Sequence, residues 1–212
     1  MRMLLCPDWV FDDYAAVTPE FLRTLGVRLL LTDLDFTLAP KRVKDPDEQV
    51  RAWIEAMKAD GIEVVIISNN RNPLRVRRFC RDLGITYVGH AEKPLKHGYC
   101  HAMKKFSATP NETVMLGDKL LTDTLGAKRC GLTMLMVEPA GGAVGPWQKV
   151  LHAMQEPFKA ASEHDERKNL EIFCKKRHKI KKKACLSAQN AVSYQRFLDR
   201  KFVNLRKSSI SS

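Results

Sequence analysis

The sequence predicts an α/β protein whose core is a doubly wound parallel sheet with helices on both faces. Five short apolar runs, each typical of a buried strand, alternate with segments whose apolar residues recur at helical spacing. Such alternation favours a parallel sheet, because each helix carries the chain back to the edge from which the strands start. A charged or hydroxyl side chain follows four of the five runs. The pattern therefore predicts a sheet with one polar edge.

The predicted helices have ordinary start and stop signals. Thr18 followed by Pro19 indicates a helix start, because threonine caps the first turn and proline fits its first position. Gly26, Gly61 and Gly84 each end a helical pattern, as glycine commonly does. In chain order we expect a helix at 19–25, a strand at 29–32, a helix at 48–59, a strand at 62–67, a helix at 73–83, a strand at 85–88, a helix at 96–106, a strand at 113–116, a helix at 120–130 and a strand at 132–137.

The first 28 residues mix acidic positions with the aromatic residues Trp9, Phe11 and Tyr14. Aromatic side chains in such a segment can rest on a membrane surface or pack against the domain. Packing is favoured, because large aromatic side chains are usually well buried in soluble domains.

Composition bounds the class of protein. With 212 residues, of which 44% are hydrophobic, the chain is long enough for one domain with a real core and a tail. No apolar run approaches the roughly 20 residues that cross a bilayer, and the start of the chain is too short and acidic for a signal peptide. Six scattered cysteines without a C-x-x-C pair predict reduced thiols rather than a zinc ribbon or a disulfide framework. We therefore expect a cytoplasmic protein, with peripheral membrane contact left open.

The net charge of +12 belongs mostly to the end of the chain. Residues 151–212 contain 15 Lys and Arg residues against 6 Asp and Glu residues, which accounts for +9. Glycines near residue 142 and Pro146 mark the exit from the α/β pattern. We therefore expect a domain at 1–146 and a basic, helical or disordered tail at 147–212. The lysine clusters at 175–183 could bind RNA or an anionic lipid surface, and a solvated tail without one partner is an equal alternative.

Polar residues fall where each predicted strand ends. Because the carboxyl ends of parallel strands meet at one edge of the sheet, we expect all of them to line one crevice. They are Asp33 and Asp35 after the first strand, Ser68 and Asn69 after the second, Lys93 after the third, and Asp118 and Asp123 after the fourth.

This set suits phosphoryl transfer through an aspartyl-phosphate. A carboxylate attacks phosphorus when a divalent cation and a fixed positive charge neutralise the phosphate oxygens. Asp33 is the expected nucleophile and Lys93 the fixed charge. Mg²⁺ prefers hard oxygen ligands, which Asp33, the main-chain carbonyl of Asp35 and Asp118 supply.

The remaining residues of the set complete the expected reaction. Asp35, beside a charged nucleophile, is the expected general acid for the leaving oxygen and the general base for water. Ser68 and the backbone at Asn69 are expected to hold the transferring phosphoryl group by hydrogen bonds.

The motifs resemble those of the haloacid dehalogenase superfamily. They are D-x-D-x-T at 33–37, a strand ending in Ser68, Lys93 before Pro94, and G-D-x-x-x-x-D at 117–123. More narrowly, the run 7–138 is similar to the YqeG-like phosphatases of class IIIA through Ile-Ile-Ser-Asn-Asn at 66–70, Glu-Lys-Pro-Leu at 92–95 and Leu-Gly-Asp-Lys-Leu-Leu-Thr-Asp-Thr-Leu-Gly at 116–126.

The resemblance implies a Rossmann-like fold and assigns roles to matching residues. It implies that Asp33 is the nucleophile, that Asp35 is the acid and base, and that Asp118 holds magnesium with support from Asp123. It also places Thr37 beside Ser68, Asn69 and Lys93 among the groups that bind the phosphate. Where relatives usually carry Asn or Gly after the second aspartate, this chain has the bulky Phe36.

The family includes phosphatidylglycerophosphate phosphatases, so the resemblance implies a lipid head group as the leading substrate. The spacing between motifs is too short for an inserted cap domain. An open site also suits phosphoproteins and nucleic-acid ends. The oligomeric state is not indicated by the sequence.

Two other functions stay open. A receiver-like phospho-acceptor domain also gathers acids, a hydroxyl and a lysine at a sheet edge, although its acid pair precedes the phosphorylated aspartate. A non-catalytic adaptor that binds anions through the tail is the second. His97 and His101, four apart on a helix, could ligate a metal, but a surface helix is favoured, and Cys174 with His178 is discounted more strongly among lysines.

Overall fold

The computed structural model describes residues 4–70, 73–141, 146–162 and 164–165, which belong to one compact unit, Met1–Arg167. The described residues form seven strands and six α-helices. In chain order these elements are β1 (Trp9–Phe11), α1 (Pro19–Thr24), β2 (Leu29–Thr32), α2 (Glu48–Ala59), β3 (Glu63–Ile67), α3 (Pro73–Leu83), β4 (Thr86–Val88), α4 (Lys96–Lys105), β5 (Thr113–Gly117), α5 (Leu125–Arg129), β6 (Thr133–Val137), α6 (Pro146–Ala160) and β7 (His164–Asp165).

The seven strands form one parallel sheet in the order β4-β3-β2-β5-β6-β1-β7. The chain runs outward from β2 through β3 to β4 and then returns to the other side of β2 to begin β5. Leu30 of β2 therefore pairs with Val64 on one side and Val114 on the other. Ligands of open parallel sheets bind at such a reversal of strand order, beyond the carboxyl ends of the strands. The fold thus places a crevice directly after β2 and β5.

Each face of the sheet packs against its own helices, because successive side chains of a strand point to opposite faces. Leu30 lies in an apolar core with α1, α2 and α3. Its neighbours Leu29 and Leu31 lie in a second core with α4 and α5. Both faces of β2 are fully buried, which explains why this strand reads as a continuous apolar run rather than an alternating one.

The structure confirms the α/β class, the parallel sheet and the order of predicted helices and strands. It confirms that the first aromatics pack onto the domain, since Phe11 and Tyr14 are buried in the core and Trp9 packs against it. Three details differ. The segment predicted as one helix at 120–130 begins as a π-helix, Leu120–Thr124, before α5. The three-residue β1 was not expected, because it has no flanking glycines like Gly84 and Gly89, which mark the equally short β4. The two-residue β7, in the segment predicted as a helical or disordered tail, was not expected either.

Past residue 145, helix α6 and the short β7 are described, and β7 pairs with β1. In α6, Lys159 is buried, and its ammonium contacts Glu138 and Glu156. The expected division between a domain at 1–146 and a tail at 147–212 stays a prediction. The lysine clusters at 175–183, with Cys174 and His178, lie outside the described residues. In the described part of the chain, no helix has the length and apolar character to cross a membrane.

Candidate active site

Asp33 lies at the centre of the crevice between β2 and β5. Its backbone N–H donates to the carbonyl of Leu116 at 2.9 Å, which extends the pairing of the two strands by one residue. Its side chain is only 7% exposed and lies between two ammonium groups: Lys93 Nζ is 2.9 Å from Oδ1, and Lys119 Nζ is 3.2 Å from Oδ2. Burial alone would raise the pKa of Asp33, but the two lysine charges lower it below its usual range.

Lys93 is the buried cation of the site. Its ammonium lies 2.9 Å from Asp33 and 2.7 Å from Asp123, and its side chain is 2% exposed. Although burial lowers the pKa of an ammonium, the two carboxylates raise that of Lys93 above its usual value. The Asn69 side chain fixes the Lys93 backbone, because it accepts from the Lys93 N–H at 2.8 Å and donates to the Lys93 carbonyl at 2.8 Å.

Two glycines explain how Asp123 reaches this position. A Cβ added to Gly117 would lie 2.6 Å from the Asp123 side chain, and one added to Gly126 would lie 2.4 Å from the Tyr99 hydroxyl. The Tyr99 hydroxyl in turn donates to the Thr122 carbonyl at 3.2 Å, inside the π-helix. The end of β5 at Gly117 and the start of α5 at Gly126 therefore pack too tightly for side chains at these two positions, and Asp123 is fully buried beside Lys93.

Asp118 faces Asp33 from the end of β5. Its Oδ1 accepts from the Thr37 hydroxyl at 3.2 Å and from the Lys119 ammonium. Burial, opposed by Lys119 and reinforced by the charges of Asp33 and Asp123, raises the pKa of Asp118 to about 7. Burial is thus the main reason that the charged form of Asp118 is disfavoured, even with the Lys119 ammonium beside it.

The carboxyl group of Asp35 turns away from this cluster. It accepts from the Asn70 amide at 2.9 Å and from the Arg75 guanidinium of α3. Arg75 also donates to the carbonyls of Val43, at 3.0 Å, and Pro40, at 3.2 Å. Arg75 therefore joins Asp35 to the loop that follows it. The Asp35 main-chain carbonyl, in contrast, points to the Lys119 ammonium at 3.1 Å.

Phe36 adopts a left-handed backbone conformation, with φ of 70°. Only glycine, and less often asparagine, takes this conformation without strain. The N–H of Phe36 donates to the Ala39 carbonyl at 2.9 Å, and its carbonyl accepts from Ala140 at 2.7 Å. The half-buried ring lines the cavity, with its centroid 5.6 Å from the Lys119 ammonium.

A cavity of about 350 Å³ opens above these residues. Ser68 is buried at its floor, where its hydroxyl accepts from the Asn70 N–H at 3.0 Å. The segments after β2 and β4 are short, and in the described residues 33–70 and 73–118 no cap domain covers the opening. The cavity is lined by Asp33, Asp35, Phe36, Lys41, Ser68, Asn69, Asn70, Lys93, Lys119 and Thr122.

The acidic cluster fits a hard divalent cation. One carboxylate oxygen from each of Asp33, Asp118 and Asp123 lies within 4.8 Å of the others, and all three residues are buried. The Asp35 carbonyl joins Asp33 and Asp118 around one point, because all three contact the same ammonium. Oxygen-only donor sets are those that magnesium prefers. Among the described residues, no second group of three His, Cys, Asp or Glu side chains is arranged in this way.

All eight residues predicted for the site lie around this crevice, although the carboxyl of Asp35 is apart from the other acids. Sequence reasoning did not single out Arg75, Asn70 or Lys119. From the sequence, Arg75 looks like a charge on a helix surface and Asn70 like an amide in a loop. Lys119 lies inside the motif at 117–123, which is identified by its two aspartates rather than by the residues between them. His97 and His101 are both exposed on α4, as favoured, with ring centroids 6.3 Å apart.

Comparison with known proteins agrees with this geometry. A family model described as "haloacid dehalogenase-like hydrolase" matches residues 10–131. "Probable phosphatase YqeG" of Bacillus subtilis (strain 168) is 34% identical over 145 residues, which cover 68% of this chain and 84% of that protein. The chain belongs to the haloacid dehalogenase-like hydrolase family. It is an enzyme of that family, a hydrolase of the phosphatase type.

Solved structures give weaker likenesses. The cobalt-bound deoxy-D-mannose-octulosonate 8-phosphate phosphatase (YrbI) of Haemophilus influenzae is 17% identical, with a TM-score of 0.46, over 65% of this chain and 94% of that one. A putative HAD superfamily (subfamily III A) hydrolase of Legionella pneumophila is 20% identical, with a TM-score of 0.40, over 66% and 90% of the two chains.

Proposed function

We propose that the protein hydrolyses a phosphomonoester through an aspartyl-phosphate on Asp33, with Mg²⁺ as cofactor. The observation that carries this proposal is the position of the Asp33 carboxylate, at the cavity floor between the buried Lys93 ammonium and the acidic cluster. A carboxylate held in its charged form beside fixed positive charge has what it needs to approach an anionic phosphate.

In the first half of the reaction, an Asp33 carboxylate oxygen forms a bond to phosphorus while the bond from phosphorus to the leaving oxygen breaks. Asp35 gives that oxygen its proton. Lys93, whose ammonium lies 2.9 Å from Asp33 in the structure, offsets the negative charge that develops there. Ser68 and the backbone at Asn69, which line the cavity, would donate to the phosphoryl oxygens. The Thr37 hydroxyl is a further proposed phosphate-binding group, and in the structure it donates to Asp118 at 3.2 Å.

In the second half, Asp35 takes a proton from water, whose oxygen attacks phosphorus and releases Asp33 and inorganic phosphate. Arg75 and Asn70 hold both Asp35 oxygens and so fix the direction of the carboxyl. Bound magnesium would supply charge neutralisation for the phosphate oxygens. Asp33, the Asp35 carbonyl and Asp118 would hold it, and Asp123 would support it from behind, since its oxygens already contact Lys93 and the Lys119 N–H.

A lipid head group, phosphatidylglycerophosphate, is the leading candidate substrate. The resemblance to YqeG-like phosphatases and the uncovered cavity both support it. A membrane-held phosphomonoester can approach an open cavity without leaving its bilayer, and the basic residues at 147–212 are a candidate for peripheral contact with anionic lipid or RNA.

A phosphatase screen tests the proposal. Purified protein is assayed with phosphatidylglycerophosphate, phosphopeptides and sugar phosphates, each with magnesium and with EDTA. Asp33→Asn should abolish turnover, while Asp12→Asn, an exposed aspartate, should leave it intact. Turnover by Asp33→Asn would refute the mechanism. A phospho-adduct that lasts many minutes would favour the receiver-like alternative, and binding to anionic vesicles or RNA without any turnover would favour the adaptor.

A further inference from the structure

Lys119 is a charged residue of the site that the proposed reaction does not use. Its ammonium contacts three oxygens: Asp33 Oδ2 at 3.2 Å, the Asp35 main-chain carbonyl at 3.1 Å, and Asp118 Oδ1. These are the same oxygens that would hold the magnesium ion of the proposed function. The chain therefore brings a cation of its own to the position of the divalent cation.

The ammonium and a divalent cation cannot use these oxygens together. Both are attracted to the same carboxylate lone pairs, and two cations that share ligands repel each other strongly where water is excluded. Binding of the ion therefore requires that the Lys119 ammonium leave. Lys93, the other ammonium of the site, cannot move aside in this way, because its side chain is only 2% exposed and is paired with both Asp33 and Asp123.

Lys119 has a route away from the oxygens. Its side chain is 39% exposed and lines the open cavity, where the Phe36 ring lies 5.6 Å from the ammonium. An aromatic face attracts an ammonium group, so this existing contact with the ring can be kept while the ammonium leaves the three oxygens. The Lys119 backbone is anchored by its N–H, which donates to Asp123 Oδ2 at 3.1 Å. Only the side chain has to move.

We propose that Lys119 is a tethered competitor of the divalent cation: its ammonium holds the acidic cluster together in the metal-free protein and moves to the cavity wall when the ion binds. This inference rests on the cation site of the proposed function, but not on turnover. It predicts that the affinity for Mg²⁺ is set partly by residue 119, and that the metal-free protein depends on Lys119 for stability.

Calorimetric titration with Mg²⁺ alone tests the inference on the full chain without substrate. Lys119→Met removes the charge and keeps most of the side-chain length, so we expect Mg²⁺ to bind about tenfold or more tightly than to wild type, since no ammonium has to be displaced. Lys119→Arg keeps the charge and should keep the weaker binding. Lys41→Met, which removes an exposed charge at the same cavity, should shift the Kd far less.

Thermal unfolding gives the second readout. Metal-free Lys119→Met should melt at a lower temperature than wild type, because Asp33 and Asp118 lose a partner, and saturating Mg²⁺ should restore most of the difference. If Lys119→Met does not fold, NMR of protein labelled at lysine ¹³Cε serves instead. The Lys119 signal, assigned by its absence from Lys119→Arg, should move towards that of a solvent-exposed lysine as Mg²⁺ binds, and Lys93, which keeps Asp33 and Asp123 as partners, is the internal comparison.

Three results would overturn the inference: an unchanged or higher Kd in Lys119→Met, an equal gain in affinity in Lys41→Met, or a Lys119 signal that does not shift when Mg²⁺ binds. Failure of the proposed function looks different. A protein without turnover can still bind Mg²⁺ more tightly as Lys119→Met, which would support the inference and refute the proposed function. Mg²⁺-dependent turnover with an unchanged Kd in Lys119→Met would support the proposed function and refute the inference.

Discussion

The site has two halves that compensate their charges differently. In the inner half, made of Asp33, Lys93 and Asp123, the paired side chains are between 0% and 7% exposed. In the outer half, made of Asp35, Asn70 and Arg75, the ion-paired side chains are 10% to 15% exposed and one face opens to the cavity. A buried charge that loses its partner cannot recruit water, whereas one at a cavity wall can. The inner half should therefore govern stability and the outer half chiefly the reaction.

The largest effect should follow the loss of the inner cation. Lys93→Met leaves Asp33 and Asp123 buried without it, so we expect the free energy of unfolding to fall by about 3–5 kcal/mol, and turnover to disappear. Urea denaturation measures the change. Lys58→Met, which removes a partly exposed lysine paired with Glu55, should cost about 1 kcal/mol or less. A similar small cost for both variants would break the distinction between the halves.

The second largest effect should follow a change in the close packing of Gly117 against Asp123 of the inner half. Gly117→Ala places a methyl group 2.6 Å from the Asp123 side chain, so Asp123 must shift away from Lys93. We expect a loss of about 1–3 kcal/mol in the free energy of unfolding, as for other overpacked cores. Gly89→Ala is the matched control, since its methyl group would meet the Tyr87 ring at an ordinary 3.5 Å. Equal stability of the two alanine variants in urea would show that Asp123 is not closely fitted.

In the outer half, Arg75→Met should cost less stability and more activity. The variant loses the partner of Asp35 and two donated bonds, to Pro40 and Val43, which we expect to lower the free energy of unfolding by about 1–2 kcal/mol. Because Asp35 loses its orientation, kcat should fall by about 10²-fold, with a smaller change in KM. Arg75→Lys should recover stability better than kcat, since lysine lacks the planar fork. An unchanged kcat in Arg75→Met would remove the outer half from the reaction.

The inner half could be predicted from the sequence, but of the outer half only Asp35 could. Asp33, Lys93 and Asp123 each lie in the segment that follows a strand, and a parallel sheet gathers such positions whatever the details of packing. Arg75 projects from a helix whose other charges face solvent, so only the angle between α3 and the sheet decides that it meets Asp35. The order of helices and strands can be predicted from the periodicity of apolar residues. Contacts between a helix side chain and a loop cannot be predicted in this way.

The same reasoning applies to the fold. Strands β2, β3, β5 and β6 were predicted within one or two residues, because each is a clear apolar run. The three-residue β1 was not, because no glycine marks its ends as Gly84 and Gly89 mark those of the equally short β4. The π-helix at Leu120–Thr124 was not, because a single turn is too short for its spacing to be told from that of an α-helix. The tight approach of Gly117 and Gly126 to their neighbours explains the π turn only once the partners are known.

The smallest effect concerns Phe36, which lies between the halves. Phe36→Asn relieves the left-handed backbone, worth about 1–2 kcal/mol, and gives up the contact of the ring with Lys119, worth about 0.5–1 kcal/mol. We therefore expect a net gain of about 0.5–1 kcal/mol in the free energy of unfolding, measured in urea with EDTA present. Phe36→Leu keeps an apolar side chain in the strained conformation and should be no more stable than wild type. If Phe36→Asn is instead less stable than Phe36→Leu, the ring stabilises the loop by more than the left-handed backbone destabilises it. Phe36 would then contribute to stability as the inner half does.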